Sequence, residues 1–246
     1  MIASPELAFG IFILDIMVFV VGNNTNSTVY VMNTATNTII KKINLSEYEY
    51  GGIVIANNGY AYVIHGNSYL GGSGNITVID TSTNTITTEI PVCRTCYEFG
   101  NVAIAPNGYI YIPSDNGSYN GDTIFILDPT TNTIISSIKI PNASSGEAIT
   151  ITPTGYAYTL NNTYVMVINT ATNTLTDSIS LYGDSPSGIS STSDGKLVYV
   201  PASQSNIIFV INTTTNTIVK NISYGNYGNI YGGAAGPSLV QPIPFP

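Results

Sequence analysis

The residues best suited to chemistry are two cysteines separated by two positions. Cys93 and Cys96 are the only cysteines of the 246-residue chain. A structural zinc site needs four Cys or His ligands, and the chain adds a single histidine, His65. A thioredoxin-like redox pair needs a βαβ setting, which the sequence does not show. We therefore expect a local disulfide between Cys93 and Cys96, with free thiols and a metal or redox role as alternatives.

The remaining polar residues form no recognisable catalytic pattern. The segment 115–122 is rich in oxygen ligands, but its spacing does not match a calcium loop and no Glu closes it. It is expected to be a long exposed loop, and His65 a loop or rim residue. The serines lack a nucleophile elbow, and nothing selects a pair among the 14 acidic residues. We expect no catalytic, cofactor-binding or metal-binding residue and no enzymatic activity, with a hydrolase site at an axial channel as the alternative.

The elements of the fold are marked by a six-residue sequence motif, here called a word, that occurs five times. It begins with Asn or Asp and ends in Asn-Thr, at residues 33–38, 80–85, 128–133, 169–174 and 212–217. Each copy lies between two β-branched runs. Asx and Thr side chains bond their own backbone in turns, and Asn tolerates the left-handed conformation. Each copy is therefore predicted to connect the two strands of a β-hairpin.

A second turn word completes the repeating unit. Asn58-Gly59, Asn107-Gly108, Thr154-Gly155 and Asp194-Gly195 each separate two apolar runs, which is a strong hairpin signal. With the six-residue word this makes four strands per unit, repeated every 41 to 48 residues. No segment shows helical periodicity. This period predicts an all-β protein, a β-propeller of about five four-stranded antiparallel blades.

The two ends of the repeat predict how the ring closes. Residues 16–21 are apolar like a second strand of a unit, whereas residues 227–231 resemble the start of one. Together they would complete one blade, so that N- and C-terminal strands close the ring and leave no open sheet edge. This divides the chain into an apolar arm (1–15), a propeller (16–232) and a Pro/Gly-rich tail (233–246).

The arm begins an apolar run of about 15 residues, from Leu7 to Val21, which Asp15 interrupts and which no basic residue precedes. A standard secretory signal is therefore poorly supported, and the run is shorter than the roughly 20 residues that span a bilayer. Burial of its large side chains would be worth roughly 1.5 to 3 kcal/mol each. The arm is expected to insert into a neighbouring subunit or another protein of an assembly, with membrane contact or an anchor helix as alternatives.

The units resemble the YVTN family of β-propeller repeats. The resemblance rests on the word at residues 78–86, on Pro106-Asn107-Gly108 and on Val198-Tyr199-Val200, and it covers roughly residues 16–232. Such repeats occur in archaeal and bacterial surface-layer and other exported proteins. The resemblance implies the propeller fold, together with display and binding rather than one chemistry.

Composition indicates an external location and excludes one class of partner. The net charge is −8 with six basic residues, so no basic stripe is available for nucleic acid. Only 8% of residues are charged, so Asn, Thr, Ser and Tyr must keep the surface soluble. Nine Asn-x-Ser/Thr sequons are candidate glycosylation sites, each expected on a solvent-facing surface, although an Asn/Thr-rich chain also forms sequons by chance. They are Asn23, Asn26, Asn44, Asn75, Asn116, Asn142, Asn161, Asn212 and Asn221.

Two functions follow as hypotheses. The first is a structural component of an extracellular assembly, either a virion appendage or a cell-surface layer, with other structural proteins or further copies as partners. The second is an adhesin or carbohydrate-binding propeller that uses tyrosine-rich loops as stacking platforms. Its candidate residues are Tyr48, Tyr50, Tyr224, Tyr227 and Tyr231.

Overall fold

A computed structural model describes most of the chain between residues 16 and 225. The described ranges are 16–21, 28–45, 49–67, 73–94, 96, 98–115, 122–141, 148–186, 188–202 and 204–225. The arm (1–15), the tail (233–246) and the segment expected to close the ring lie outside them, so ring closure stays a prediction. Among the described residues there is no apolar helix with the length of a bilayer-spanning segment.

The described elements are strands that group into five antiparallel sheets in chain order. Sheet 1 contains β1 (Ile16–Val21), β2 (Thr28–Asn33) and β3 (Thr38–Asn44). Sheet 2 contains β4 (Glu49–Ile55), β5 (Tyr60–Asn67), β6 (Ser73–Asp80) and β7 (Thr85–Cys93). Sheet 3 contains β8 (Glu98–Phe99), β9 (Ala103–Ile104), β10 (Ile110–Asp115), β11 (Asp122–Asp128) and β12 (Thr133–Ile140).

The last two sheets repeat the four-stranded pattern. Sheet 4 contains β13 (Ile149–Ile151), β14 (Tyr156–Asn161), β15 (Tyr164–Asn169) and β16 (Thr174–Ser180). Sheet 5 contains β17 (Ser190–Ser191), β18 (Leu197–Ala202), β19 (Ile207–Asn212) and β20 (Thr217–Ser223). In both sheets each strand pairs with the next along the chain, so every connection is a hairpin. The strand expected at residues 16–21 is confirmed as β1.

The five Asn-Thr words form the hairpins between the last two strands of each sheet, as predicted. The fifth residue of each word is an Asn with a left-handed backbone, with φ between 51° and 56°. Asn pays the least of the non-glycine residues for this conformation. The Gly of the other turn word is also left-handed, as at Gly59 and Gly108 (φ 83° and 87°). The backbone conformation of the turns therefore explains the residue types in both words.

The last strand of every sheet carries a β-bulge at the same place. The register of β3, β7, β12, β16 and β20 against the preceding strand shifts at the third residue of the strand, and that of β7 shifts a second time near its end. The bulged residues are Ile40, Thr87, Ile135, Thr176 and Val219. These strands form the last row of each sheet, and nearly all their side chains are at least partly exposed.

Apolar cores lie between consecutive sheets. Within the described ranges, one buried cluster joins each of the pairs 1–2, 2–3, 3–4 and 4–5. Strand alternation explains this arrangement, because odd and even residues of the inner strands point to opposite faces. In β5, Ala61 and Val63 pack toward sheet 1, whereas Tyr62 and Ile64 pack toward sheet 3. Sheets 2, 3 and 4 thus each pack one face against the preceding sheet and the other against the following sheet.

Candidate functional site

The first Asx residue of each hairpin word holds its turn. The side-chain oxygen of Asn33 accepts hydrogen bonds from the amides of Ala35 and Thr36, 2.9 and 3.1 Å away. The equivalent Asx residues accept the same amide bond at 2.8 or 2.9 Å, and these residues are Asp80, Asp128, Asn169 and Asn212. Each hairpin also pairs two threonine hydroxyls, 2.7 or 2.8 Å apart. The hairpins therefore present amide and hydroxyl groups to solvent.

Two of the five hairpins carry a carboxylate at this position. The side-chain and backbone hydrogen bonds from Ser82 lower the pKa of Asp80 below its ordinary value. Those from Thr130 lower the pKa of Asp128 in the same way. Both groups are exposed, and the bonds they accept are local. They are structural turn residues, because an Asn performs the same task in the other three sheets.

A buried tyrosine links each of three sheets to the hairpin of the next. The hydroxyl of Tyr62 in sheet 2 donates to the Asn132 side-chain oxygen or the Pro129 carbonyl, at 2.8 and 3.1 Å. Tyr111 in sheet 3 contacts Asn173 and the Thr170 carbonyl in the same manner. All three tyrosines of this kind, the third being Tyr158, are fully buried.

The sheet 4 tyrosine completes the series. The Tyr158 hydroxyl lies 2.9 Å from the side-chain oxygen of Asn216 in sheet 5. The accepting Asn residues are those that take the left-handed conformation. Burial raises the pKa of the phenols of Tyr62 and Tyr111, and that of Tyr158 to about 12. These hydroxyls are therefore neutral hydrogen-bond donors, unsuited to act as bases or nucleophiles near neutral pH.

The series does not extend to the pairs that involve sheet 1. Tyr199 occupies the register position of Tyr158, pairing with Val210 as Tyr158 pairs with Val167. It is only partly buried and makes no hydrogen bond to hairpin 33–38, which the structure describes throughout. In sheet 1 the same register position holds Val18, opposite Val31, so no phenol is available there.

The two cysteines form a disulfide that closes the connection between β7 and β8. Their Cα atoms are 5.9 Å apart. Cys96 is buried in the core between sheets 2 and 3, and Cys93 packs against that core. Beside the disulfide, the ring of Phe99 lies against Gly74, where an added Cβ would come within 2.1 Å of the ring and 2.8 Å of the Cys93 sulfur. The pair is a packed structural element within this core.

The single histidine is buried, contrary to the expectation of a rim or loop residue. His65 lies within β5 and its Nε2 is 2.6 Å from the Thr77 hydroxyl on the paired strand. Its side chain is fully buried because residue 65 falls on the strand face that packs toward sheet 1. Within the described residues, no group of three or more His, Cys, Asp or Glu side chains is arranged to hold a metal ion. Asp115 and Asp122 end β10 and begin β11, and the loop between them lies outside the described residues.

The sequons differ in accessibility. Asn44 and Asn221 are exposed on the last strands of sheets 1 and 5, whereas Asn75 and Asn212 are partly buried. The expectation that every sequon faces solvent is wrong for Asn161, which is 6% exposed and donates its amide to the Pro141 carbonyl at 2.9 Å. It ends β14, an inner strand whose side chains are buried on both faces. The other sequons (Asn23, Asn26, Asn116 and Asn142) lie outside the described residues.

Of the tyrosines proposed as stacking platforms, only Tyr224 has a described side chain. It is partly buried, and its hydroxyl donates to the Ala202 carbonyl at 3.2 Å. The inter-sheet tyrosines were not singled out in the sequence. The available signal was the repeated Tyr-x-Tyr after a Gly turn, whose second Tyr is the buried donor in each of the three sheets.

Comparison with solved structures identifies the fold type. The chain matches Kuenenia stuttgartiensis hydrazine synthase with a TM-score of 0.68 and 19% identity, over 79% of this chain and 61% of that one. It matches a chain of the mitotic checkpoint complex with a TM-score of 0.71 and 11% identity, over 89% and 64% of the two chains. A protein of unknown function from Bacteroides caccae matches with a TM-score of 0.59 and 17% identity, over 87% and 75%. No family model and no curated protein matches the chain.

These matches show an all-β, propeller-type fold. The chain spans less than two thirds of the length of the hydrazine synthase chain. The expectation that the protein is not an enzyme is wrong as an inference from its fold, because a structure of the same type carries an enzyme's name. At this identity the likeness shows the fold alone and assigns no activity to this chain.

Proposed function

We propose that the protein is an externally displayed, glycosylated β-propeller that serves as a structural component of a surface assembly, a virion appendage or a cell-surface layer. In this proposal the five sheets are five blades of the YVTN type, and the N- and C-terminal strands close the ring. The observation that carries the proposal is the chemistry of the five hairpins. All five hairpins expose Thr hydroxyls, and only two of them carry a carboxylate, so this surface is soluble with little charge.

The positions of two sequons support the same function. Asn44 and Asn221 are exposed on β3 and β20, the last strands of their sheets, where a sugar can extend into solvent. N-linked sugar is added to externally displayed proteins and increases solubility. It would compensate for a composition in which only 8% of residues are charged.

Glycan mapping of protein purified from its native source tests the proposal. We expect sugar at Asn44 and Asn221 and none at Asn161, whose amide nitrogen is buried and hydrogen-bonded. Asn161 serves as an internal control, because it has the same sequon chemistry without access. Immunogold labelling of the native material should place the protein on an external particle or surface. A chain with the bare polypeptide mass, found inside the cell, would contradict the proposal.

The alternative is an adhesin or carbohydrate-binding propeller, favoured by one exposed tyrosine that packs beside a buried phenylalanine. Tyr182 is 78% exposed, and its ring centroid lies 6.4 Å from that of Phe209. An exposed, supported aromatic ring is a suitable platform for a sugar face. A glycan array should then show binding that Tyr182→Ala abolishes and that Tyr164→Ala, a second exposed tyrosine, leaves unchanged. Absence of binding to any glycan contradicts this alternative.

A further inference from the structure

The last strands of the five sheets alternate in chemistry along the chain. At the bulge, sheets 1, 3 and 5 carry an aliphatic residue, whereas sheets 2 and 4 carry a threonine. The charged residues of these strands follow the same alternation. Sheets 1, 3 and 5 carry only lysines (Lys41, Lys42, Lys139 and Lys220), and sheets 2 and 4 carry only acids (Glu89 and Asp177).

The threonines at the bulge each make a hydrogen bond within their own sheet. A bulge disrupts the hydrogen-bond ladder locally and leaves a backbone group to be satisfied. The hydroxyl of Thr87 donates to the Val78 carbonyl, and that of Thr176 to the Val167 carbonyl, both at 3.1 Å. The threonine is therefore the residue that the fold itself favours at this position.

The aliphatic residues at the bulge cannot make this bond and face water instead. Ile40, Ile135 and Val219 are 50%, 44% and 54% exposed. In sheet 1 the neighbouring Ile39 is exposed to a similar extent, which places two isoleucines beside Lys41 and Lys42. Sheets 2 and 4 also expose one aliphatic residue each beside the bulge, Ile86 and Leu175, at 41% and 38%. The two adjacent isoleucines of sheet 1 form a larger apolar patch, and a contiguous patch of this kind indicates a site of protein contact.

We propose that the apolar, lysine-bearing edges bind the acidic edges of sheets 2 and 4 of a second copy of this chain. The charge complementarity of the two edge types selects this partner, because each copy carries both types. The contact is heterologous and extends from copy to copy, as an array or filament requires. The inference deepens the proposed function by naming the surface through which the subunits associate.

Lysines also protect exposed sheet edges from pairing, and the bulges limit backbone pairing between copies. Protection of the edges from strand pairing would explain the lysines. It would not explain the isoleucines at the bulge or the restriction of acidic residues to sheets 2 and 4. The contact is accordingly one of side chains, with apolar residues at its centre and charges around them. A glycan at Asn221 would lie next to Lys220 and cover the edge of sheet 5. A glycan at Asn44 would lie at the end of β3, four residues beyond Ile40, which leaves the bulges of sheets 1 and 3 for association.

Sedimentation velocity of the full chain, over a range of protein and salt concentrations, tests the proposal. We expect concentration-dependent association that weakens as salt rises from about 50 to about 500 mM, because salt screens exposed charges. Lys41→Glu should raise the dissociation constant about tenfold. The Lys41 ammonium also donates to the Thr83 carbonyl of its own chain at 3.4 Å, so Lys41→Gln, which loses this bond without reversing the charge, should raise the dissociation constant by less. Lys196→Glu is the matched control, since it makes the same charge change in an exposed turn outside these strands. It removes an exposed ion pair with Asp194 within that turn and should leave association unchanged.

Two further variants separate the contact from folding. Ile40→Thr copies sheets 2 and 4, so it should weaken association without lowering the melting temperature. Asp177→Lys or Glu89→Lys should restore association to Lys41→Glu by reversing the paired charge. A chain that stays monomeric, or one in which Lys41→Glu behaves like Lys196→Glu, overturns the proposal. Purified protein is used alone, so this outcome is independent of glycosylation and of location in the native source.

Discussion

The hydroxyl of Tyr158 lies 2.9 Å from the side-chain oxygen of Asn216, a residue 58 positions later in the next sheet. The same relationship joins Tyr62 to Asn132 and Tyr111 to Asn173. Each Asn has the left-handed backbone that the hairpin requires, and its side-chain oxygen accepts a hydrogen bond from the tyrosine hydroxyl of the preceding sheet. One residue thus closes a local turn and anchors it to a neighbour. The repeated word therefore determines contacts between sheets as well as within them.

The first prediction concerns the stability supplied by this bond. Tyr158→Phe should lower the free energy of unfolding by about 1 kcal/mol, because it removes a buried hydrogen bond and leaves the packing unchanged. For a chain of this size, the melting temperature should fall by roughly 2 to 4 °C. Tyr156→Phe, on the same strand but exposed, is the control and should have little effect. Equal stabilities of the two variants would show that the bond contributes nothing.

The second prediction concerns alkaline pH. Burial raises the pKa of Tyr158 to about 12, above its ordinary value of 10.0, so folding favours the protonated phenol. Its contribution to stability is full below pH 10 and is lost as the pH rises toward 12. The melting temperature should therefore fall steeply over this interval. Tyr158→Phe should show a shallower fall, measured by circular dichroism, and an identical slope for both proteins would refute the prediction.

The sequence predicted the local structure well because its turns are determined by single residues. Asn and Gly at left-handed positions specify the hairpins, and the β-branched runs between them specify the strands. The contacts between sheets were less accessible, since strand periodicity does not show what covers each face of a strand. The burial of His65 was missed, and so was the hydrogen-bond partner of Tyr62. The burial of Asn161 was missed for the same reason, as the sequon pattern carries no information on the face that a residue occupies.

The third prediction concerns acid. Hydrogen bonds within the turns lower the pKa of Asp80 and Asp128, so folding favours the carboxylates. Their contribution is present above the unfolded value near pH 4 and is lost as the pH falls through the lowered pKa. A variant with Asp80→Asn and Asp128→Asn should keep these turns, as Asn does in the other three hairpins, and lose less stability below pH 4. The combination of Glu89→Gln and Asp177→Asn is the charge-matched control outside the turns. An acid transition that the double variant leaves unchanged would exclude these carboxylates as its cause.

The last prediction concerns the packing of Phe99 on sheet 2. Gly74 pairs with Gly66 across β5 and β6, and the ring of Phe99 lies over both residues. Gly in a strand usually costs stability relative to Ala, so Gly74→Ala would ordinarily be stabilising. Here the new Cβ would come within 2.1 Å of the ring, and overpacking of this kind costs roughly 1 to 3 kcal/mol. Gly74→Ala should therefore destabilise the protein, and the loss should be smaller in a Phe99→Ala background, where the ring is absent. Urea unfolding of the four proteins measures this coupling, and additive effects of the two substitutions would show that Phe99 does not require a glycine at position 74.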